Sequence, residues 1–260
     1  MSIHNFKILD KIGEGAYSSV YKILRLEDNI EYALKKVKLQ NLSEKEKLNA
    51  LNEVRILASI RNPNVICYKE TFIDEASNSL CIVMEYADNG DLFQKILEHQ
   101  RNGTFFPENQ IWFYFIEIVK GLKALHSLKI FHRDMKSANV FLGAEGRVKI
   151  GDMNVSKVAK KGLLFTQAGT PYYASPEVWK DQPYDSKSDI WSVGCILYEM
   201  ITLRPPFRAE NMEGLYKRVI RGYYSKIPSN YSQDLSLLVR SLLQVQPNLR
   251  PNCGFIFNLT

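Results

Sequence analysis

The stretch Phe131–Leu142 limits the possible fold and chemistry of this chain more than any other segment does. It places charged and amide side chains on a short segment between two apolar runs. Asp134, Lys136 and Asn139 lie inside this stretch, within a span of six residues. A helical pattern precedes the stretch and a short strand pattern ends it, so we expect a loop held by a rigid scaffold. On such a loop one group can orient a hydroxyl, one can neutralise a phosphate and one can ligate a metal ion. Phosphoryl transfer needs this set of groups.

Composition narrows the class of protein without identifying it. At 260 residues, the chain is long enough for one large domain or for two lobes with separate cores. Its 45% apolar and 24% charged residues are ordinary for a soluble globular protein. The net charge of +6 is not gathered into a Lys/Arg block or a basic helix. We interpret it as a modest surface excess that tolerates phosphate-bearing ligands, and we expect no nucleic-acid partner.

The four cysteines show neither a Cys-x-x-Cys pair nor the spacing of a zinc site. They predict buried free thiols in a reducing compartment. No secretory signal is visible, and no stretch approaches the roughly 18 apolar residues of a membrane span. The sequence therefore predicts a soluble, intracellular protein without a membrane partner.

The N-terminal part alternates apolar and polar side chains, with the β-branched and aromatic types that favour strands. We predict strands at 6–12, 19–26 and 30–39, and the first two flank a loop that contains Gly13 and Gly15. Such glycines permit a tight reversal and let backbone N–H groups approach a phosphate closely, although most Gly-x-Gly pairs are only hairpin turns. The strand–loop–strand setting argues against a dinucleotide-binding loop, which would open a helix.

Residues 43–60 predict the main helix of this region, since Ser43 and Glu46 match a capping box. Two further strands, at 65–73 and 80–86, complete a predicted five-stranded antiparallel sheet. The apolar stripe of the helix is expected to contain Leu48, Leu51, Leu57 and Ile60.

The chain after a polar, glycine-bearing linker is mainly helical in pattern. Apolar residues at spacings of three and four predict long buried helices at 108–127 and 189–203. Smaller helical patterns occur near 212–221 and 233–243. The sequence therefore predicts an α+β fold, in which a sheet region precedes a helical region.

Taken in order, these motifs resemble the catalytic domain of eukaryotic protein kinases. The loop 131–142 carries His-Arg-Asp, four intervening residues and Asn, and residues 32–35 read Tyr-Ala-Leu-Lys, similar to the Val-Ala-Ile-Lys strand. Residues 152–154 read Asp-Met-Asn where the family has Asp-Phe-Gly. Residues 169–177, Gly-Thr-Pro-Tyr-Tyr-Ala-Ser-Pro-Glu, are close to the signature of the NIMA-related (Nek) Ser/Thr kinases. The resemblance runs from about Phe6 to Arg250.

Several residues depart from the family pattern. Ser18 stands where the family has the third glycine of its loop. Met153 keeps an apolar plug that is softer than a phenyl ring, and Asn154 is the next-best residue for a positive φ. Because Asp152 is retained, we predict an active enzyme. The alternative is a nucleotide-binding pseudokinase or scaffold with the variant Asp-Met-Asn motif.

The resemblance implies a bilobal protein-kinase fold, with an N-lobe at 1–84, a hinge at 85–91 and a C-lobe at 92–260. Within the C-lobe it implies a catalytic loop at 131–142 and an activation segment at 152–177. It also implies transfer of the γ-phosphate of ATP to serine or threonine hydroxyls of protein substrates, with Mg²⁺ as cofactor.

The resemblance also assigns roles to single residues. Asp134 would accept or orient the hydroxyl proton, and Lys136 would stabilise the transferred phosphate. Lys35 would hold the α- and β-phosphates while paired with Glu53.

Further implied residues hold the metal ion and the nucleotide. Asn139 and Asp152 would hold Mg²⁺. The backbones of Glu85 and Ala87 would bond adenine, and Asp91 would lie near the ribose. The full set of implied nucleotide contacts is Ile12, Gly13, Gly15, Val20, Ala33, Lys35, Met84, Glu85, Ala87, Asp91 and Phe141.

Regulation is implied in the activation segment. Thr166 matches the usual phosphosite, and Arg133 and Lys157 match the basic partners of its phosphate. The phosphate would come from an upstream kinase or from trans-autophosphorylation; an unmodified loop threonine is the alternative. Thr170, together with Lys136, points to serine and threonine acceptors.

Three structural roles complete what the resemblance implies. Tyr68 lies where some Nek kinases carry an inward-turning tyrosine that displaces the main helix of the N-lobe, although a strand tyrosine that only packs is the alternative. Glu177 and Arg250 would form a buried ion pair, and Asp189 would brace the catalytic loop. The resemblance also suggests a cytoplasmic location, the centrosome, basal body or nucleus as further sites, and roles in the cell cycle or cilia.

Overall fold

A computed structural model of the chain describes residues 2–15, 18–39, 48, 51, 54, 58–152 and 171–257. These residues divide into two compact units, the first ending at Asp88 and the second beginning at Asn89. The boundary falls inside the segment 85–91, whose assignment as a hinge stays a prediction.

The first unit is built on a five-stranded antiparallel sheet, as predicted. Its strands are β1 (Phe6–Glu14), β2 (Ser18–Arg25), β3 (Glu31–Lys38), β4 (Tyr68–Asp74) and β5 (Ser79–Glu85). The spatial order is β1-β2-β3-β5-β4, so β5 lies between β3 and β4. A short 3₁₀ helix, Ile3–Asn5, precedes β1. A cluster of buried apolar side chains stabilises the sheet: Phe6, Ile23, Tyr32, Leu34, Phe72, Cys81 and Val83.

The predicted strand at 65–73 is wrong at its N-terminal end, because β4 begins at Tyr68. A turn occupies the preceding residues. In it the Val65 amide donates to the Asn62 carbonyl (3.2 Å), and the Asn64 amide donates to the Asn62 side-chain oxygen (2.8 Å). Asn side chains often close such local turns in competition with strand pairing.

Only part of the predicted helix 43–60 is described. Its described members Leu48, Leu51, Val54 and Ala58 are helical. Val54 is fully buried whereas Leu48 is 54% exposed, so the predicted stripe is wrong at Leu48. At 3.6 residues per turn, six positions place these two side chains about 120° apart around the helix.

The second unit is mostly helical, as predicted. Its helices are α1 (Leu92–Asn102), α2 (Glu108–Ser127), α3 (Pro176–Trp179), α4 (Ser186–Thr202), α5 (Met212–Arg221), α6 (Gln233–Leu242) and α7 (Cys253–Ile256). The strands β6 (Val140–Leu142) and β7 (Val148–Ile150) form an antiparallel hairpin. Short 3₁₀ helices lie at Ser137–Asn139, Ala144–Gly146 and Pro247–Leu249.

Helix α4 forms the centre of the second unit, and its predicted start at residue 189 is three residues late. The side chain of Asp185 accepts a hydrogen bond from the Lys187 amide (2.7 Å) and so caps the helix one turn earlier. Trp191 of α4 is fully buried and stacks on Phe207 with ring centroids 5.2 Å apart. The earlier start places Asp189 inside the first turn, where the core buries it.

The four cysteines are free thiols, as predicted. Three of them are buried, but Cys67 is half-buried, and its sulfur accepts a hydrogen bond from Arg61 Nη1 (2.8 Å). Within the described parts of the chain, no helix is long and apolar enough to cross a bilayer.

Candidate active site

The loop after α2 brings together three residues that the sequence singled out. Asn139 Nδ2 donates to the backbone oxygen of Asp134 (2.7 Å) and to its Oδ2 (3.1 Å). Lys136 Nζ lies 3.1 Å from the same Oδ2. Asn139 is buried, whereas the side chains of Asp134 and Lys136 are 36% and 38% exposed. A buried amide therefore orients a carboxylate that solvent and a substrate can reach.

Backbone hydrogen bonds attach this loop to the residues that follow β7. The backbone N–H of Asn139 donates to the Lys136 carbonyl (2.9 Å) and closes the 3₁₀ turn. The backbone carbonyl of Asn139 accepts from the Gly151 N–H (3.0 Å). His132 Nε2 lies 2.9 Å from the Gly151 carbonyl and donates to it. These bonds hold the backbone of Asp152 beside Asn139, with the Asp152 φ at 56°, in the left-handed region.

Asp189 braces the loop, as predicted. It is fully buried, and its two oxygens accept from the amides of His132 and Arg133, each at 3.0 Å. His126 Nε2 lies 2.8 Å from Oδ2, and the Tyr184 hydroxyl donates to Oδ1. The bond to the Arg133 amide stabilises a backbone with φ of 66°, which a non-glycine residue adopts only at a cost of about 1–3 kcal/mol.

The charge of Asp189 follows from the same contacts. Burial by itself raises the pKa of this carboxyl, but the hydrogen bond from His126 and the neighbouring His132 outweigh burial and hold the pKa below its ordinary value. The brace is therefore an anion that binds backbone amides through charge-assisted hydrogen bonds.

Asp189→Asn should loosen the loop, because the amide keeps only one oxygen acceptor for the donors that surround it. We expect the free energy of unfolding to fall by about 1.5–3 kcal/mol. We also expect hydrogen exchange at the His132 and Arg133 amides to accelerate more than exchange in the middle of α2. Unchanged exchange at both amides would exclude the bracing role; Asp234→Asn, at an exposed position of α6, is the matched control.

A buried ion pair anchors the residues around α3, as predicted. Arg250 Nη1 and Nη2 donate to Glu177 Oε1 (2.7 Å) and Oε2 (2.8 Å), and both residues are buried. The Ser188 hydroxyl adds a bond to Glu177 Oε1 (2.7 Å). Arg250 also donates to the backbone carbonyls of Gln244 (2.7 Å) and Lys187 (2.8 Å). The pair thus ties α3 to the start of α4 and to the chain after α6.

Sequence reasoning missed a second buried network, centred on Glu199. The Tyr173 hydroxyl donates to Glu199 Oε2 (2.6 Å) and lies 3.0 Å from the Ser137 hydroxyl. The Ser192 hydroxyl donates to the Tyr173 carbonyl (2.8 Å). Burial raises the pKa values of both Tyr173 and Glu199. A carboxylate among the mainly apolar residues 193–201 of α4 was the available signal.

In the first unit, four predicted nucleotide contacts lie on three adjacent strands. Lys35 of β3 pairs with Val20 of β2, and Ala33 pairs with Met84 of β5. Ala33 and Lys35 are two positions apart and so share one face of the sheet. Lys35 is half-buried.

Gly13 lies near the end of β1 and Gly15 lies in the turn before β2. Gly13 pairs with Val20, and an added Cβ would lie 3.4 Å from Val20 Cβ. The Gly15 amide donates to the Ser18 carbonyl (2.7 Å), and an added Cβ would lie 3.3 Å from Ser18 Oγ. Neither glycine has a positive φ, and both contacts would be with side-chain atoms at or near van der Waals distance, so the structure does not require glycine at either position. Ile12, beside them, is exposed.

The two predicted adenine contacts, Glu85 and Ala87, stand at and just after the end of β5. The Glu85 amide already donates to the Cys67 carbonyl (2.9 Å). An adenine contact from the Glu85 backbone therefore has to use its carbonyl.

In the second unit, the predicted contacts Asp91 and Phe141 are neighbours, joined by an antiparallel bridge. Asp91 also caps α1, because its Oδ1 accepts from the Gln94 amide (2.9 Å). Sequence reasoning missed this cap, although an aspartate before an apolar run is a known helix start. Burial raises the pKa of the Asp91 carboxyl.

Of the remaining predicted residues, some are described by the structure and the others lie outside the described part of the chain. Arg133 is exposed, and Tyr68 is buried in β4, paired with Met84 of β5. Those outside the described residues are Glu53, Met153, Asn154, Lys157, Thr166 and Thr170.

Comparison with known proteins shows which family the sequence resembles. A family model for the protein kinase domain matches residues 6–259. Serine/threonine-protein kinase Nek1 of Mus musculus is 40% identical over 250 residues, which are 95% of this chain and 20% of Nek1. Nek3 of the same species is 39% identical, over 95% of this chain and 48% of Nek3. A probable serine/threonine-protein kinase nek2 of Dictyostelium discoideum is 39% identical, over 95% of this chain and 60% of that protein.

The chain thus spans between 20% and 60% of the length of these curated relatives. The match of the family model covers nearly the whole chain, and the resemblance to the Nek kinases is confirmed. The chain belongs to the protein kinase domain family.

Proposed function

We propose that this chain is a serine/threonine protein kinase that transfers the γ-phosphate of ATP to protein hydroxyls. One observation carries the proposal: Asp134 Oδ2 lies 3.1 Å from both Asn139 Nδ2 and Lys136 Nζ, on a side chain that stays accessible. An oriented carboxylate can accept or align the proton of an incoming hydroxyl. The adjacent lysine supplies positive charge where negative charge develops on the transferred phosphoryl group.

The chemistry of Asn139 and Asp152 fits Mg²⁺, since amide and carboxylate oxygens are the hard ligands that this ion prefers. The amide nitrogen of Asn139 donates to Asp134, so the ligand atom would be the amide oxygen. When bound, the ion neutralises charge on the phosphates of ATP. The pairing of Lys35 with Glu53, and the contacts to adenine and ribose, are proposed from the resemblance.

Matched acceptor peptides test this function. Three peptides that differ only in carrying Ser, Thr or Tyr are incubated with labelled ATP and Mg²⁺, with and without a chelator. We expect chelator-sensitive transfer to the Ser and Thr peptides, and at least about tenfold less to the Tyr peptide. Equal transfer to Tyr would contradict the acceptor class, and no transfer by protein that binds ATP, both with and without phosphate on Thr166, would contradict the function.

We also propose regulation by phosphate on Thr166, added by an upstream kinase or by another copy of the chain. A phosphate with a charge near −2 would pair with Arg133, whose side chain is exposed beside Asp134, and with Lys157. We expect Thr166→Ala to lower turnover about tenfold relative to phosphorylated wild type, because the ordering charge is lost. Phosphatase-treated wild type should match the variant; if it keeps full turnover, Thr166 is an unmodified loop residue.

Tyr68 is proposed to restrain basal activity. Tyr68→Ala should raise the basal turnover of folded protein by about threefold, because the resemblance implies that the ring displaces the main helix of the N-lobe. Because the ring is buried, the substitution also costs about 3–5 kcal/mol of stability. Phe72→Ala on the same strand is the matched control, since it removes a similarly buried ring. Equal or lower turnover in the Tyr68 variant would leave Tyr68 with a packing role only.

A further inference from the structure

A groove in the second unit lies apart from every described residue assigned above to catalysis or nucleotide binding. It is formed by the end of α5, the linker 222–227, helix α6 and the segment 243–249, and it encloses about 720 Å³. Ligand clefts in proteins have volumes of roughly 300–1,000 Å³. The groove is therefore large enough to hold part of a binding partner.

Large apolar side chains line this groove and are exposed. Tyr223, Leu237 and Leu249 expose 70%, 52% and 58% of their surface. Val239 and Leu243, which also line it, are buried. Clustered exposed apolar side chains mark interaction sites more often than isolated ones do.

The charge of the groove has one sign. Arg221, Lys226 and Arg240 line it and are exposed, while its lining, all within the described part of the chain, contains no Asp or Glu. Asp234, on the same helix as Arg240, is outside the lining. Three cations around an apolar surface favour a ligand with negative charge and an apolar anchor.

The walls of the groove are preformed. Gly222 ends α5 with φ of 63°, and an added Cβ would lie 2.7 Å from Cγ2 of Val245, which also lines the groove. The buried Arg250 donates to the carbonyls of two lining residues, Gln244 (2.7 Å) and Val245 (3.2 Å). A rigid groove saves a ligand the entropic cost of ordering it.

We propose that this groove docks an acidic linear segment of a protein partner. A Leu, Ile or Phe of the segment packs against Tyr223 and Leu237, and flanking carboxylates pair with Arg221 and Arg240. A nucleic-acid backbone would use the cations and leave the apolar walls without a partner, which is why a peptide is favoured. The proposal goes beyond the proposed function, since docking requires no phosphate transfer.

A displayed library of random peptides, about 12 residues long, tests the proposal without ATP. Peptides are selected on the wild-type protein alone, and their binding is then compared with that to the double variant Arg221→Glu/Arg240→Glu. The control is Lys7→Glu/Lys69→Glu, which changes the net charge equally at two exposed strand positions outside the groove. Selected peptides are synthesised, and their binding is measured by fluorescence anisotropy. Because no turnover is measured, an inactive kinase would leave this result unaffected.

We expect the selected peptides to be acidic and to contain a large aliphatic or aromatic residue. Their affinity should fall at least about tenfold in the groove variant and in Leu237→Ser, and less than about twofold in the control. Peptides that lack acidic residues, equal binding to all variants, or no enrichment would overturn the proposal. So would an oligothymidine strand or anionic vesicles that bind wild type tightly, lose binding in the groove variant and displace the peptide.

Discussion

Replacing Arg250 by Ala is expected to lower the free energy of unfolding by about 3–5 kcal/mol, because it leaves a buried carboxylate without its partner. Glu177 would lose two hydrogen bonds, of 2.7 and 2.8 Å, from the same guanidinium. The carbonyls of Gln244 and Val245 would lose a donor as well. Few single substitutions remove this many buried polar contacts.

Chemical denaturation measures this loss. Arg218→Ala, at an exposed position of α5, is the matched control and should change stability by less than about 0.5 kcal/mol. The double variant Glu177→Leu/Arg250→Met should be more stable than Arg250→Ala, since no charge is left buried without a partner. A loss below about 1 kcal/mol in Arg250→Ala would show that water reaches the site.

The Glu177–Arg250 pair also makes the stability of the fold fall at acid pH. Burial by itself raises the pKa of Glu177, but the hydrogen bonds and charge of Arg250 outweigh it and hold the pKa below the ordinary value of 4.5. A lowered carboxyl pKa contributes stability that is complete above pH 4.5 and is lost as the pH falls toward the folded-state pKa. Arg250→Ala should lose this contribution to the acid dependence, which denaturation at a series of pH values detects.

Local pattern predicted most of the fold, because hydrophobic periodicity follows directly from helix and strand geometry. The sheet and helix α2 were predicted at or near their observed ends. The errors in element boundaries lie where one polar side chain decides the boundary. Asn62 closes a turn that delays β4, and Asp185 caps α4, which begins three residues before its predicted start. A single hydrogen bond of this kind leaves no periodic signal.

The candidate site was predictable as a set of residues and less so as a set of contacts. The spacing of Asp134, Lys136 and Asn139 indicated phosphoryl transfer, but the clamp of Asn139 on Asp134 depends on a turn that spacing does not define. The bond from Tyr173 to Glu199 joins residues 26 positions apart. The sequence does not predict such a pair, because the contact forms only when the fold brings the two residues together.

Asp134→Asn is expected to lower the rate of phosphate transfer by a factor of about 10²–10⁴, because an amide cannot accept the hydroxyl proton. The substitution is nearly isosteric. Asn139 Nδ2 keeps its shorter bond, of 2.7 Å, to the backbone oxygen of residue 134, so the loop should keep its conformation. Lys136 loses an anionic neighbour but should stay at the same position on the loop. ATP binding should therefore stay within about twofold of wild type.

Magnesium-dependent transfer of labelled phosphate, in wild type beside Asp134→Asn, is the decisive test of kinase activity. It should be measured with and without phosphate on Thr166, together with ATP affinity, and with Asp234→Asn as the control. We predict transfer by wild type and by the control, and almost none by Asp134→Asn at unchanged ATP affinity. Wild-type protein that binds ATP and transfers nothing in either phosphorylation state would contradict the claim and favour a pseudokinase.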